Sequence, residues 1–152
     1  HKKVFVDPRV LIKAFEEMRD FVENYPIEFL VNKSNDALWD IYGQAKIYWH
    51  ASGYGEDLKT HPEFAEHFGI STVEAMGAGA VPVVINAGGQ KEIVKDAVNG
   101  FLWDTLEELQ AKTLKLINNE KLLSDLSKKA KEKAKDFSEE KFSETLNGFI
   151  ND

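Results

Sequence analysis

The chain has 152 residues, 43% of them apolar and 30% charged, a balance that excludes disordered and fibrous classes and leaves room for one domain with a real core. Its formal net charge of -7 argues against the broad cationic footprint that a nucleic-acid duplex demands, so nucleic acid is not an expected partner. Without cysteine, disulfides and thiolate chemistry are excluded; no apolar run reaches the ~18 residues that cross a bilayer, and the chain reads as cytoplasmic.

The chain opens at His1 rather than a methionine, which points to residues before it. Short β-branched or aromatic runs then alternate with helical patterns, the pattern of βαβ units, so an α/β fold with a parallel sheet and helices on both faces is expected. Val4 to Val6 is a first strand, and Asp7 with Pro8 starts a helix whose Leu11, Phe15, Met18 and Val22 share a face. Ile27 to Val31 is a strand, Asp36 to Tyr42 a helix closed by Gly43, and Ile47 to His50 a strand. A polar loop runs to about Glu66. Ser71 to Ala78 is a helix, Val81 to Asn86 a buried strand, Glu92 to Lys95 a short helix and Gly100 to Trp103 a last extended stretch. Three helices close the chain: one capped by Thr105 and Glu108, one lined by Leu123, Leu126, Ala130, Ala134 and Phe137, and one striped by Phe142, Leu146, Phe149 and Ile150.

The segment Glu66-His67-Phe68-Gly69-Ile70-Ser71-Thr72-Val73-Glu74 carries the chemistry. Gly69 lets backbone approach a ligand, and Ser71 begins a helix whose free N–H groups and positive dipole end favour an anion such as phosphate. Glu66 before the helix and Glu74 one turn inside it can flank that anion, and carboxylates suit the paired hydroxyls of a sugar or ribose. The competing reading is a capping box, in which Glu74 only returns to the Ser71 N–H.

The spacing of Glu66 and Glu74 resembles the Glu-seven-residues-Glu motif of retaining glycosyltransferases of the GT-B fold, family four. The match continues through Glu74-Ala75-Met76-Gly77-Ala78-Gly79, Val81-Pro82-Val83-Val84, Gly88-Gly89-Gln90-Lys91-Glu92-Ile93-Val94 and Asn99-Gly100-Phe101-Leu102. The resemblance implies a Rossmann-like domain, residues 1–152, equivalent to the C-terminal half of a GT-B enzyme, with residues 138–152 a closing helix that returns towards an absent N-terminal domain. It implies that Glu66 contacts donor-sugar hydroxyls and that Glu74 holds the ribose. The N–H groups of Phe68, Gly69 and Ile70 would lie near sugar and diphosphate, and Asn32, Lys33 and Ser34 near the base. The implied reaction is retaining hexosyl transfer from a nucleoside-diphosphate sugar to a saccharide or lipid acceptor, with no metal and no cofactor. The chain alone is then expected to be inactive.

Two departures from the family pattern stand out. The usual Gly-Arg strand end is missing, so Lys2 or Lys3 is left to meet the diphosphate, against the competing reading of solvated terminal lysines. Between the first helix and the strand at Ile27 the family has another strand and helix, where this chain has only Asn24, Tyr25 and Pro26. His50, His61 and His67 lack metal-ligand spacing. Gly77-Ala78-Gly79-Ala80-Val81-Pro82 reads as a helix-to-strand turn rather than a dinucleotide loop. Lys128, Lys129, Lys131, Lys133 and Lys135 read as a solvated face, with peripheral membrane contact as the alternative. A sugar-nucleotide epimerase of the same fold and a non-catalytic nucleotide-sugar-binding module remain open as functional alternatives.

Overall fold

The computed structural model describes residues 22–28, 30 and 32–151. Lys2, Lys3, the expected strand Val4 to Val6 and the expected helix as far as residue 21 lie outside the described residues. The chain divides into two compact units, residues 1–41 and 42–152.

In the first unit, Ile27, Glu28 and Leu30 belong to no strand, contrary to the expectation for 27–31, whose other two residues lie outside the described set. Asn32 and Lys33 are exposed there, Asn32 with a left-handed φ of 52°, a conformation that asparagine tolerates better than most residues. Ser34 caps helix α1 (Asn35–Gln44), its Oγ accepting from the Ala37 N–H at 3.4 Å. α1 does not stop at Gly43. That glycine keeps an ordinary negative φ, its Cβ position is open space, and the helix continues to Gln44; an exposed glycine weakens a helix without ending it unless the chain turns left-handed there.

In the second unit, strands β1 (Ile47–His50), β2 (Val81–Ile85) and β3 (Phe101–Trp103) pair in parallel in the order β1-β2-β3. β2 is central and all five of its residues are buried, as a strand covered on both faces must be. The expected extension to Asn86 does not occur. Asn86 is exposed, and its backbone N–H makes a single bond to the Trp103 carbonyl beyond the ladder. Pro82 would interrupt a ladder in mid-sheet, but β3 begins pairing only at Val83, and opposite Pro82 stands Gly100, where a Cβ would fall 2.5 Å from the proline ring.

Between β1 and β2, a 3₁₀ turn at Pro62–Phe64 precedes helix α2 (Ile70–Ala78). α2 ends at Gly79 with φ 104°, whose N–H reaches the Ala75 and Met76 carbonyls, so the helix-to-strand turn forms as expected. A short helix α3 (Gln90–Ile93) starts two residues earlier than expected. Helices α4 (Leu106–Ile117), α5 (Glu120–Ala134) and α6 (Glu139–Asn151) close the chain. Thr105 caps α4 by accepting from the Glu108 N–H at 3.2 Å, while Glu108 returns to the Asp104 N–H at 2.9 Å rather than to Thr105 itself.

The period of two along the strands divides the core into two layers. Val81, Val83, Ile85, Phe101 and Trp103 pack with Leu116 of α4 and Leu126 of α5 on one face. Val84 packs with Met76 of α2, Ile93 of α3 and Ala130 of α5 on the other, where Tyr48 and Leu102 join them. α5 therefore serves both layers, its first half in one and its second half in the other. On α6, Phe142 and Leu146 are exposed; the side chains of Phe149 and Ile150 lie outside the described set.

Candidate functional site

The site grows from alternation on β1. Tyr48 and His50, two residues apart, share the sheet face that meets the start of α2. The Tyr48 hydroxyl and Ser71 Oγ lie 2.9 Å apart and fasten the helix entry to the strand. One pleat further, His50 Nε2 stands 3.4 Å from Glu66 Oε2, with the histidine side chain 11% and the glutamate 29% exposed. Burial pushes the Tyr48 phenol up; the Ser71 bond offsets part of this, and the Glu66 and Glu74 carboxylates add to it. Tyr42 is raised by burial, by Tyr48 and by Glu74. Two neutral hydroxyls thus stand within the electrostatic reach of Glu74.

The helix begins earlier than Ser71. Gly69, with φ 100°, is the N-cap and makes no side-chain bond, Ile70 is the first helical residue, and Ser71 spends its hydroxyl on Tyr48. This removes the capping-box reading, because Glu74 stands five positions past the cap instead of three and forms no hydrogen bond or ion pair among the described residues. The Gly69 carbonyl accepts from the N–H groups of Thr72 and Val73, whereas those of Gly69, Ile70 and Ser71 have no acceptor among the described residues. Three free donors at the positive end of a nine-residue helix suit an anion.

A second loop braces this entry. The Gly89 N–H donates to the Glu66 carbonyl at 2.8 Å. A Cβ on Gly88 would fall 2.2 Å from the same carbonyl oxygen, and one on Gly89 would fall 2.4 Å from the His67 carbonyl oxygen. No other residue type fits such an approach, so Gly88-Gly89 sets the height of the Glu66 to Phe68 backbone. Phe68 and Ile70 are exposed beside it, the Phe68 ring meeting Phe137 edge to face at 5.6 Å.

Glu66, Phe68, Gly69, Ile70, Ser71 and Glu74 are therefore gathered at one helix entry of the second unit. Asn32 and Lys33 belong to the first unit, and Lys2 and Lys3 lie outside the described residues. Sequence reasoning missed Tyr48, His50 and Gln90. The period-two pattern of β1 did carry the signal for the first two, because Tyr48 and His50 are polar-tipped residues on an inward face. Among the described residues, no three His, Asp or Glu side chains are grouped to hold a metal ion, and no helix is long and apolar enough to cross a membrane.

Solved structures share this fold. The chain superposes on HepE of Anabaena, crystallised with UDP-glucose, with a TM-score of 0.72 at 20% identity over 96% of this chain and 40% of that one. It also superposes on the C-terminal domain of LpcC of Francisella tularensis, a glycosyl transferase group 1 family protein, with a TM-score of 0.66 at 23% identity over 85% and 64%. The architecture is that of the C-terminal half of a GT-B fold. In sequence, the chain is 31% identical over 125 residues to the GDP-Man:Man(3)GlcNAc(2)-PP-Dol alpha-1,2-mannosyltransferase of Dictyostelium discoideum, covering 82% of this chain. It is 40% identical over 82 residues to an uncharacterized glycosyltransferase of Methanocaldococcus jannaschii, covering 53% of this chain. The chain spans 23% of the length of each of these relatives. Residues 9–133 match the family of glycosyl transferases group 1, and the chain belongs to that family.

Proposed function

We propose that this chain, as one nucleotide-sugar-binding domain, is the donor-binding part of a retaining glycosyltransferase and holds a nucleoside-diphosphate sugar at the entry of α2. The observation that carries the reading is the convergence of three free N–H groups with two carboxylates, Glu66 and Glu74, on one nine-residue stretch. The diphosphate lies against the helix entry, Glu74 takes the ribose hydroxyls and Glu66 takes sugar hydroxyls. His50 holds the Glu66 carboxylate in place.

In the transfer, the bond between the anomeric carbon and the phosphate oxygen breaks, and the acceptor hydroxyl oxygen bonds to that carbon on the same face. The acceptor proton passes to the departing phosphate. Fixed donors at the helix entry stabilise the charge that develops on this leaving group, so no metal and no cofactor is required. The Dictyostelium relative is named for GDP-Man and a PP-Dol-linked saccharide, which makes GDP-mannose the first donor to test and a lipid-linked saccharide the first acceptor class. A cytoplasmic protein with peripheral membrane contact fits that acceptor. The acceptor belongs on another domain, and the exposed Phe142 and Leu146 of α6 are assigned to the face that meets it.

The test is calorimetric titration of the chain with GDP, UDP, GDP-mannose and UDP-glucose, followed by a transfer assay. Binding of a nucleoside diphosphate with no transfer is the expected result. Failure of all four ligands to bind overturns the donor-site reading, and transfer by the chain alone overturns the need for a second domain.

A further inference from the structure

Gln90 opens α3 and is completely buried, yet neither Nε2 nor Oε1 of its amide has a hydrogen-bond partner among the described residues. Buried polar groups are nearly always paired, and leucine or methionine would fill a similar volume without the desolvation cost. The amide is not in a remote corner of the core. A Cβ on Gly69 would fall 2.7 Å from Gln90 Nε2 and 3.2 Å from Ile93 Cδ1. Since Gly69 is the N-cap of α2 and carries no side chain, the Gln90 amide faces the helix entry across a bare Cα. The N–H groups of Gly69, Ile70 and Ser71, also without acceptors among the described residues, start from the same point.

We propose that Gln90 is a further ligand-binding residue, whose amide N–H joins the helix-entry donors in holding a phosphate oxygen of a nucleoside diphosphate. This rests on the donor-site reading above. Two independent sets of unpaired donors, one from α2 backbone and one from the α3 side chain, converge on Gly69, and an oxyanion satisfies both. Ile93 beside them keeps the amide from bulk water, which strengthens its bond to an anion. The requirement for glycine at position 69 is then double: the left-handed φ, and a clear line between the amide and the ligand.

The experiment compares the chain with Gln90→Leu and Gln90→Met, by thermal melting without ligand and by calorimetric titration with GDP and UDP. Removing an unpaired amide should raise the ligand-free melting temperature, while affinity for the nucleoside diphosphate falls at least about tenfold. A leucine or methionine variant that binds as tightly as the parent overturns the role of Gln90 and leaves the donor site standing. A variant that melts lower and loses binding in proportion assigns Gln90 to packing and also overturns it. If the parent binds neither GDP nor UDP, the donor-site reading fails and this inference fails with it. Should the leucine variant not fold, the methionine variant decides by the same comparison.

Discussion

Glu74→Ala separates a binding carboxylate from a structural one. Because Gly69 is the N-cap and Glu74 makes no hydrogen bond or ion pair among the described residues, its removal should change stability by no more than ~0.5 kcal/mol, the range for substitutions that break no named interaction. Alanine also has the higher helix propensity, which offsets any lost packing. Binding should respond quite differently. A hydrogen bond to a charged group contributes about 1.5–3 kcal/mol, so losing one ribose hydroxyl contact should weaken a nucleoside diphosphate about 10- to 150-fold. The assay pairs a melting curve without ligand with a calorimetric titration of the same two proteins. At a ligand concentration of about 100 times the parent's Kd, the parent should gain roughly 2.7 kcal/mol and the variant much less. If the variant instead loses ~1 kcal/mol of stability and binds nucleotide unchanged, Glu74 is a structural residue and the ribose assignment is wrong.

Glu66→Gln should leave GDP and UDP affinity within about twofold but reduce the extra affinity of the corresponding nucleotide sugar, because its partners are sugar hydroxyls; equal loss with both ligands would remove that assignment. A strong chelator should change neither binding nor transfer in the complete enzyme, and a large chelator effect would overturn the metal-free mechanism. The phenols of Tyr42 and Tyr48 are raised above the ordinary 10.0, so the folded state holds their protons more tightly than the unfolded state does. Their stabilisation is complete below pH ~10 and is lost as pH rises through the folded values. Tyr48→Phe should flatten that alkaline loss in a pH series of melting curves, and an unchanged slope would show that burial of the Tyr48 phenol is not its cause. Thr105→Ala, which deletes the cap of α4, should cost about 1 kcal/mol in denaturant unfolding.

Local information is enough for much of this protein. The strand Ile47–His50 is legible because a short β-branched and aromatic run stands between a helical segment and a polar loop, and Val81–Ile85 because a continuous apolar run between turn signals suits a strand buried on both faces. The spacing of Glu66 and Glu74 makes the helix entry legible as well. Sequence could not decide where α2 begins. Ser71 has the chemistry of an N-cap, but Tyr48 reaches it from a strand 23 residues away and takes its hydroxyl, so the cap falls back to Gly69. Gly43 misleads for a related reason, since glycine ends a helix only where the following chain needs a left-handed turn. The pairing of His50 with Glu66 and the burial of Gln90 against Gly69 are likewise set by the approach of separate segments. Residue type and spacing determine which groups are available for hydrogen bonds; only the tertiary fold, by bringing β1 and the Gly88-Gly89 loop against one helix entry, decides which of them are already spent on the protein and which are left for a ligand.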